Sequence, residues 1–172
     1  MNLVLIGYRG TGKTTLSIML SERLHLPVCH MDEMLESRFG ARIADFVQRH
    51  GWDAFRDEES LLVEELGGMD KLIIDSGGGV ILRESNVHHL RRNGWVAWLQ
   101  AEPDSIAKNI GADTNRPPLT DKPSAVDEIH EVLAARIPLY QAAADFIIQT
   151  DALSLEECGD QICAAWKNHL QT

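Results

Sequence analysis

The stretch from Gly7 to Thr14 limits what this chain can fold into more than any other. A short apolar run, Leu3-Val4-Leu5-Ile6, leads directly into Gly7-Tyr8-Arg9-Gly10-Thr11-Gly12-Lys13-Thr14. That is G-x-x-x-x-G-K-[ST], the phosphate-binding loop, between a strand and a helix as its mechanics require. Gly7 ends the strand in a turn. Gly10 and Gly12 lack a Cβ, so backbone N–H groups can close around a phosphate. The following helix, about Lys13 to Leu24, directs its positive end at the same anion. Lys13 is expected on the β- and γ-phosphates of ATP and the Thr14 hydroxyl on Mg²⁺. Gly10, Thr11, Gly12 and Thr15 complete the nucleotide-binding set. The loop implies nucleoside triphosphate binding but does not say what the phosphate is used for.

Four more strand-like runs follow, Pro27–Cys29, Leu72–Ile74, Trp95–Leu99 and Phe146–Ile148, with helical patterns between them. Such alternation implies an α/β fold with a mostly parallel sheet and helices on both faces. A length of 172 residues without repeat or linker suits one domain, 1–172. Within it, the segment of about 32–66 reads as several helices broken at Gly40 and Gly51, with Asp32 and Asp53 as N-caps. Placed between the second and third strands, it would cover strand ends and form a substrate pocket. A second segment, about 111–123, has few large apolar residues and joins a helix near Pro103–Ile110 to one near Ser124–Ala135. It reads as a plain surface connection or as a lid, and Arg116 beside Pro117 and Pro118 favours the lid.

Composition narrows the partners. A formal net charge of −10 argues against a general nucleic-acid or anionic-membrane surface, so phosphate binding must be local. No apolar run approaches the roughly 18 residues of a membrane helix, and the N-terminal run is too short for a signal peptide. A cytoplasmic protein is expected. Cys29, Cys158 and Cys163 are expected as reduced thiols. No C-x-x-C or H-x-x-H spacing supports a metal site built from them.

Several residues outside the loop carry chemistry. Asp32, just after the second strand, could hold an acceptor hydroxyl and take its proton, cap a helix, or do both. Arg56 has the fork geometry to clamp a substrate carboxylate, and Glu59, one turn on, could hold that guanidinium. Asp75 ends an apolar strand and precedes Ser76-Gly77-Gly78-Gly79, where a ligand could approach backbone N–H groups closely. Arg136, read as late in a helix, is an ordinary C-terminal-turn cation or a second anchor for an anionic substrate.

Taken together these pieces resemble the shikimate kinase family. The resemblance rests on Gly7–Thr14, Asp32 with Glu36, Phe55-Arg56 with Glu59, Gly77-Gly78-Gly79, Arg116-Pro117-Pro118-Leu119, and Arg136 before Pro138-Leu139-Tyr140. It covers almost the whole chain. It implies a three-layer α/β/α fold of nucleoside monophosphate kinase type, with a five-stranded parallel sheet, and a monomer. It implies transfer of the ATP γ-phosphate to the 3-hydroxyl of shikimate, with Mg²⁺ as cofactor. Carried over by position, Asp32 binds shikimate hydroxyls and acts as base, while Arg56 and Arg136 bind its carboxylate. Gly77, Gly78 and Gly79 contact ring hydroxyls, and Arg116 closes over ATP with the lid.

Two departures stand out. The family commonly has an acid two residues before the substrate aspartate, and here that residue is His30, a softer ligand than Mg²⁺ prefers. Asp75, where a small residue is usual, either supplies the missing carboxylate through water or only braces the glycine turn. Pro118 adds a second proline to the lid. The other readings are a further small-molecule kinase, such as a gluconate kinase, and a nucleotide-binding homologue that has lost catalysis.

Overall fold

The chain runs β1 (Asn2–Ile6), α1 (Lys13–Leu24), β2 (Val28–His30), α2 (Met31–Phe39), α3 (Ile43–Gly67), β3 (Ile73–Asp75), α4 (Glu84–Arg92), β4 (Gly94–Gln100), α5 (Pro103–Ile110), α6 (Ala125–Ala143), β5 (Phe146–Gln149) and α7 (Leu155–His169). A 3₁₀ turn at Val80–Leu82 follows β3. The computed structural model describes residues 1–111 and 124–171. The five strands pair in parallel in the order β2-β3-β1-β4-β5, as the five apolar runs predict.

Strand periodicity decides the layers. Successive side chains of β1 alternate between the faces of the sheet. Leu3 and Leu5 pack with Leu16 and Leu20 of α1 and with Ile162 and Trp166 of α7. Val4 and Ile6 pack on the other face with Phe55, Leu62 and Leu66 of α3, Leu90 of α4 and Tyr140 of α6. Both faces of the parallel sheet are therefore covered. Each fully buried Leu, Ile or Phe contributes about 1.5–3 kcal/mol, so the central strand is the best-anchored part of the molecule.

Strand order also places the site. The chain leaves β1 toward β2 on one side, and leaves β3 toward β4 on the other. The order reverses between β1 and β3, and a crevice opens at their carboxyl ends. Leu5 and Asp75 are register partners there, so the loop after β1 meets the turn after β3.

Two local expectations need correction. Asp32 does not cap a helix. β2 passes into α2 without a connecting loop, His30 takes the N-cap position, and Asp32 falls in the first turn. Arg136 is not in a last turn, because α6 continues through Pro138 to Ala143. Proline inside a helix forfeits a hydrogen bond, but Tyr140 and Ala143 beyond it are buried in the core and hold the helix on. The breaks at Gly40 and Gly51 stand as expected. Gly40 ends α2, and Gly51 interrupts α3 with φ 83 and ψ 168, leaving Asp53 in the first turn behind the break. Glu36 is the working cap, accepting from Ile43 N at 3.0 Å. Of the expected lid only Gly111 is described; Arg116, Pro117 and Pro118 lie outside the described residues. Among the described residues no helix is long and apolar enough to cross a membrane.

Candidate active site

The phosphate loop wraps the start of α1. Gly12 holds the N-cap of α1 at φ 88 and ψ 13 with no side chain capping the helix. Glycine reaches that left-handed conformation without strain. The uncapped first-turn N–H groups stay available to an anion. The loop is tied down from inside. Thr11 Oγ1 donates to Tyr8 O at 2.8 Å, and Lys13 Nζ donates to Gly7 O and Tyr8 O at 2.9 and 3.0 Å. From outside, Asn109 Nδ2 of α5 donates to Gly10 O at 2.8 Å. Gly10, Gly12, Lys13, Thr14 and Thr15 line one wall of a cleft of ≈ 490 Å³, and Asp32, Asp75, Ser76 and Gly78 line it too.

Asp75 is held between two elements. Thr14 Oγ1 donates to its Oδ2 at 2.7 Å, and His30 Nδ1 lies 2.9 Å from the same oxygen. The Thr14 proton is thus directed at Asp75, which leaves the hydroxyl lone pairs for another partner. Ser76 pins the start of the glycine turn to β1: both its N–H and its hydroxyl donate to Leu5 O, at 3.2 and 2.7 Å.

The glycine turn is the partition between this cleft and a second pocket. A Cβ on Gly78 would stand 3.3 Å from Gly7 O and Arg9 N, so the turn lies directly on the phosphate loop. A Cβ on Gly77 would meet Glu59 Oε1 at 2.9 Å and Asp32 Oδ1 at 3.2 Å, and one on Gly79 would overlap the Arg56 guanidinium. Side chains are excluded here because charged groups occupy the space.

Beyond the partition stand the two arginines. Arg56 Nη1 donates to Glu59 Oε2 at 2.6 Å, with Glu59 buried, and its guanidinium lies over the rings of Trp52 and Phe55 at 5.3 and 5.1 Å. An ion pair this sheltered needs its full set of hydrogen bonds to offset desolvation. Arg83 supports it from behind by donating to Arg56 O at 2.9 Å. Arg136, 8% exposed, donates Nη1 to Gly78 O at 3.1 Å and lies 5.9 Å from the Tyr8 ring. The Tyr140 hydroxyl donates to that same carbonyl. Arg56 and Arg136 also line an open cleft of ≈ 560 Å³ with Trp52, Leu82 and Leu139. Burial raises the phenol pKa of Tyr8, and that of Tyr140 to about 12, so Tyr140 remains a donor at neutral pH.

Gly10, Gly12, Lys13, Thr14, Thr15, Asp32, Asp75 and Gly78 line the first pocket, and Arg56, Gly78, Gly79 and Arg136 the second; Thr11 is instead buried, with its hydroxyl on Tyr8 O, and Gly77 stands against Asp32 and Glu59. Arg116 cannot be located with them, since it lies outside the described residues. Arg9 and Arg83 escape sequence reading, and Tyr140 enters it only as part of the stretch around Arg136; Asn109, expected with Lys108 near the adenine, donates its side-chain amide to Gly10 O. Arg9 lines both pockets and pairs with buried Glu128 of α6 at 3.1 Å. It occupies a variable position of the loop pattern, which carries no signal. Tyr140 stands in the stretch that carries Arg136, one turn on, and that spacing is the available clue. Cys29, Cys158 and Cys163 are free thiols. Among the described residues no three His, Cys, Asp or Glu side chains cluster as a metal cage.

Comparison with known proteins gives a consistent match. The model of the shikimate kinase family fits residues 9–167. The shikimate kinase of Rhodopirellula baltica is 37% identical over 168 residues, covering 95% of this chain and 89% of that protein. That of Syntrophus aciditrophicus is 37% identical over 172 residues, covering 94% and 88%. Among solved structures, the shikimate kinase from Acinetobacter baumannii in complex with shikimate superposes with a TM-score of 0.92 at 27% identity, covering 98% of this chain and 93% of that one.

Proposed function

Since the chain belongs to the shikimate kinase family, we propose that it transfers the γ-phosphoryl group of ATP to the 3-hydroxyl of shikimate, giving ADP and shikimate 3-phosphate. One observation carries the assignment of residues. Arg56 and Arg136 converge on Gly78 and Gly79, on the far side of a glycine partition that lies against the phosphate loop. A carboxylate held by these arginines would bring the rest of a small ring to the mouth of the phosphate cleft.

The roles follow from position and chemistry. The N–H groups of Gly10 to Thr15 bind the ATP phosphates, and Lys13 brings a positive charge to the same wall. Asp32 lines the cleft beside Gly77. Its carboxylate accepts a hydrogen bond from the 3-hydroxyl and takes the proton as the oxygen–phosphorus bond forms and the bond to the ADP oxygen breaks. Arg56 and Arg136 orient the substrate through its carboxylate, which fixes the reacting oxygen without chemistry at the anchor. Gly77, Gly78 and Gly79 let the ring approach the backbone, and Arg116 adds positive charge to the ATP side.

The residues suit Mg²⁺. It prefers oxygen donors, keeps several waters, and takes one or two carboxylates with phosphate oxygens. Thr14 Oγ1 offers its lone pairs beside the Asp75 carboxylate at 2.7 Å. Thr14 would bind the ion directly and Asp75 through water, and the bound ion supplies charge neutralisation on the phosphate oxygens. We read the chain as one domain, with segment 32–66 carrying the substrate site and 111–123 the lid. It acts as a cytoplasmic monomer whose partners are ATP and shikimate, not nucleic acid or a membrane.

A gluconate kinase is not favoured by the family match, and it has no need of paired carboxylate anchors beside a Gly-Gly-Gly turn. A silent homologue is disfavoured because Lys13, Asp32, Arg56 and Arg136 are all in place. The test is ADP release from ATP and Mg²⁺, coupled to an optical readout, with shikimate, gluconate or no acceptor. Shikimate-dependent release is expected. Release no faster than with ATP alone, or faster with gluconate, would reject the proposal.

A further inference from the structure

β2 and β3 are parallel neighbours, and in their register His30 stands opposite Asp75. Each is the last residue of its strand. Paired positions on parallel strands present their side chains to the same face, so the imidazole and the carboxylate leave the sheet together at the end that carries the cleft. His30 Nδ1 lies 2.9 Å from Asp75 Oδ2, and that oxygen also accepts from Thr14 Oγ1 at 2.7 Å. A carboxylate oxygen accepts, so the bond requires the imidazole proton on Nδ1.

Two further observations make this more than a chance surface pair. His30 holds the N-cap of α2 and makes no side-chain cap bond; its ring turns to Asp75. The side chain of Asp75 is 8% exposed and that of His30 22%. An exposed pair would contribute little, but a sheltered one can hold a single rotamer. Without the imidazole, Thr14 alone would restrain a carboxylate that turns about a broad, two-fold torsion.

We infer that His30 is a positioning residue for Asp75, a donor at Nδ1 that clamps the carboxylate against Thr14 and so sets the oxygen pair offered to a divalent cation. His30 thereby acts on the cation only through Asp75 and is not itself a ligand. The inference rests on the reading that Asp75 faces the metal. It extends that reading, because it makes metal affinity depend on a nitrogen that never touches the ion. Side chains that orient a metal-facing group commonly alter metal affinity by about 10- to 100-fold when removed.

The test measures Mn²⁺ binding to the protein–ADP complex from the electron paramagnetic resonance signal of free Mn²⁺. Mn²⁺ suits the same oxygen donors as Mg²⁺. His30→Ala should weaken Mn²⁺ about tenfold or more while ADP affinity without metal stays within about twofold. His30→Asn should restore wild-type behaviour, because its Nδ2 donor overlies the place of Nδ1. His30→Gln, which extends the donor away from that place, should not. Wild-type Mn²⁺ affinity in His30→Ala alongside weakened binding in Asp75→Ala would overturn the inference and leave the Asp75 reading intact. Undiminished binding in Asp75→Ala would overturn both. If His30→Ala does not fold, as read by thermal denaturation, the Asn and Gln variants decide. Equal Mn²⁺ affinity in those two would also sink the inference.

Discussion

Replacing Arg136 by alanine should abolish most shikimate affinity and spare the nucleotide. Arg56 is ion-paired with buried Glu59 at 2.6 Å, so the two charges largely cancel. Among the described residues Arg136 is bonded to a neutral carbonyl, Gly78 O, at 3.1 Å, so of the two anchors it is the one whose positive charge is left to attract a carboxylate. One charge-assisted hydrogen bond contributes about 1.5–3 kcal/mol net. At about 1.4 kcal/mol per decade, losing the anchor should weaken shikimate about 10- to 100-fold. The glycine turn should survive, because the Tyr140 hydroxyl donates to the same carbonyl. Arg136→Lys keeps the charge but not the planar fork and should fall between the two. Isothermal titration with shikimate gives the affinity directly, with ADP titration as control. Trp52, 5.3 Å from the Arg56 guanidinium, offers a fluorescence check. A folded Arg136→Ala variant with wild-type shikimate affinity would refute the assignment of the anchor and the charge argument behind it.

Other outcomes rest on the same geometry. Asp32→Asn removes a proton acceptor while keeping size and should lower kcat roughly 100- to 10,000-fold with ADP affinity retained; a loss below tenfold would remove Asp32 as base. Gly79→Ala drives a Cβ into the Arg56 guanidinium, so titration should show shikimate affinity down about tenfold or more with ADP unaffected, and equal affinities would contradict the close approach. Both tyrosines of the chain, Tyr8 and Tyr140, have pKa values raised by burial, Tyr140 to about 12, whereas an unfolded tyrosine titrates near about 10. Their contribution to stability is therefore complete below about pH 10 and is lost as pH rises toward about 12, because the unfolded chain releases protons that the folded chain keeps. The urea midpoint should drop across that window, and ionisation of Tyr140 at about pH 10 should require unfolding. Tyrosinate absorbance from both tyrosines in the native protein at that pH would contradict it.

Much of the fold is legible without coordinates. The five strands fall on the five apolar runs, and α1 and α5 span the ranges expected of them, because apolar runs, Gly40 and the Pro103 start are local signals. Expectation and structure part where neighbours overrule local preference. Asp32 looks like a cap by residue type, but β2 runs straight into α2 and gives the cap position to His30. Arg136 looks like a last-turn cation because Pro138 comes soon after it, but burial of Tyr140 and Ala143 carries α6 onward. Arg9 and Arg83 give no signal, since each matters only through partners distant in the chain, Glu128 and the Arg56 carbonyl.

The sequence by itself determined the phosphate loop, because Gly7 to Thr14 and the strand and helix around it are one contiguous unit whose chemistry depends on backbone spacing. It also determined the inventory of acids, arginines and glycines. Tertiary structure alone decided which of them meet. The reversal of strand order between β1 and β3 brings Asp75 to Thr14 and His30, and the packing of α3 and α6 on one face brings Arg56 and Arg136 to the two ends of Gly78-Gly79. Contacts between residues so far apart in the chain are set by sheet register and by the burial of helix faces, which no local pattern encodes.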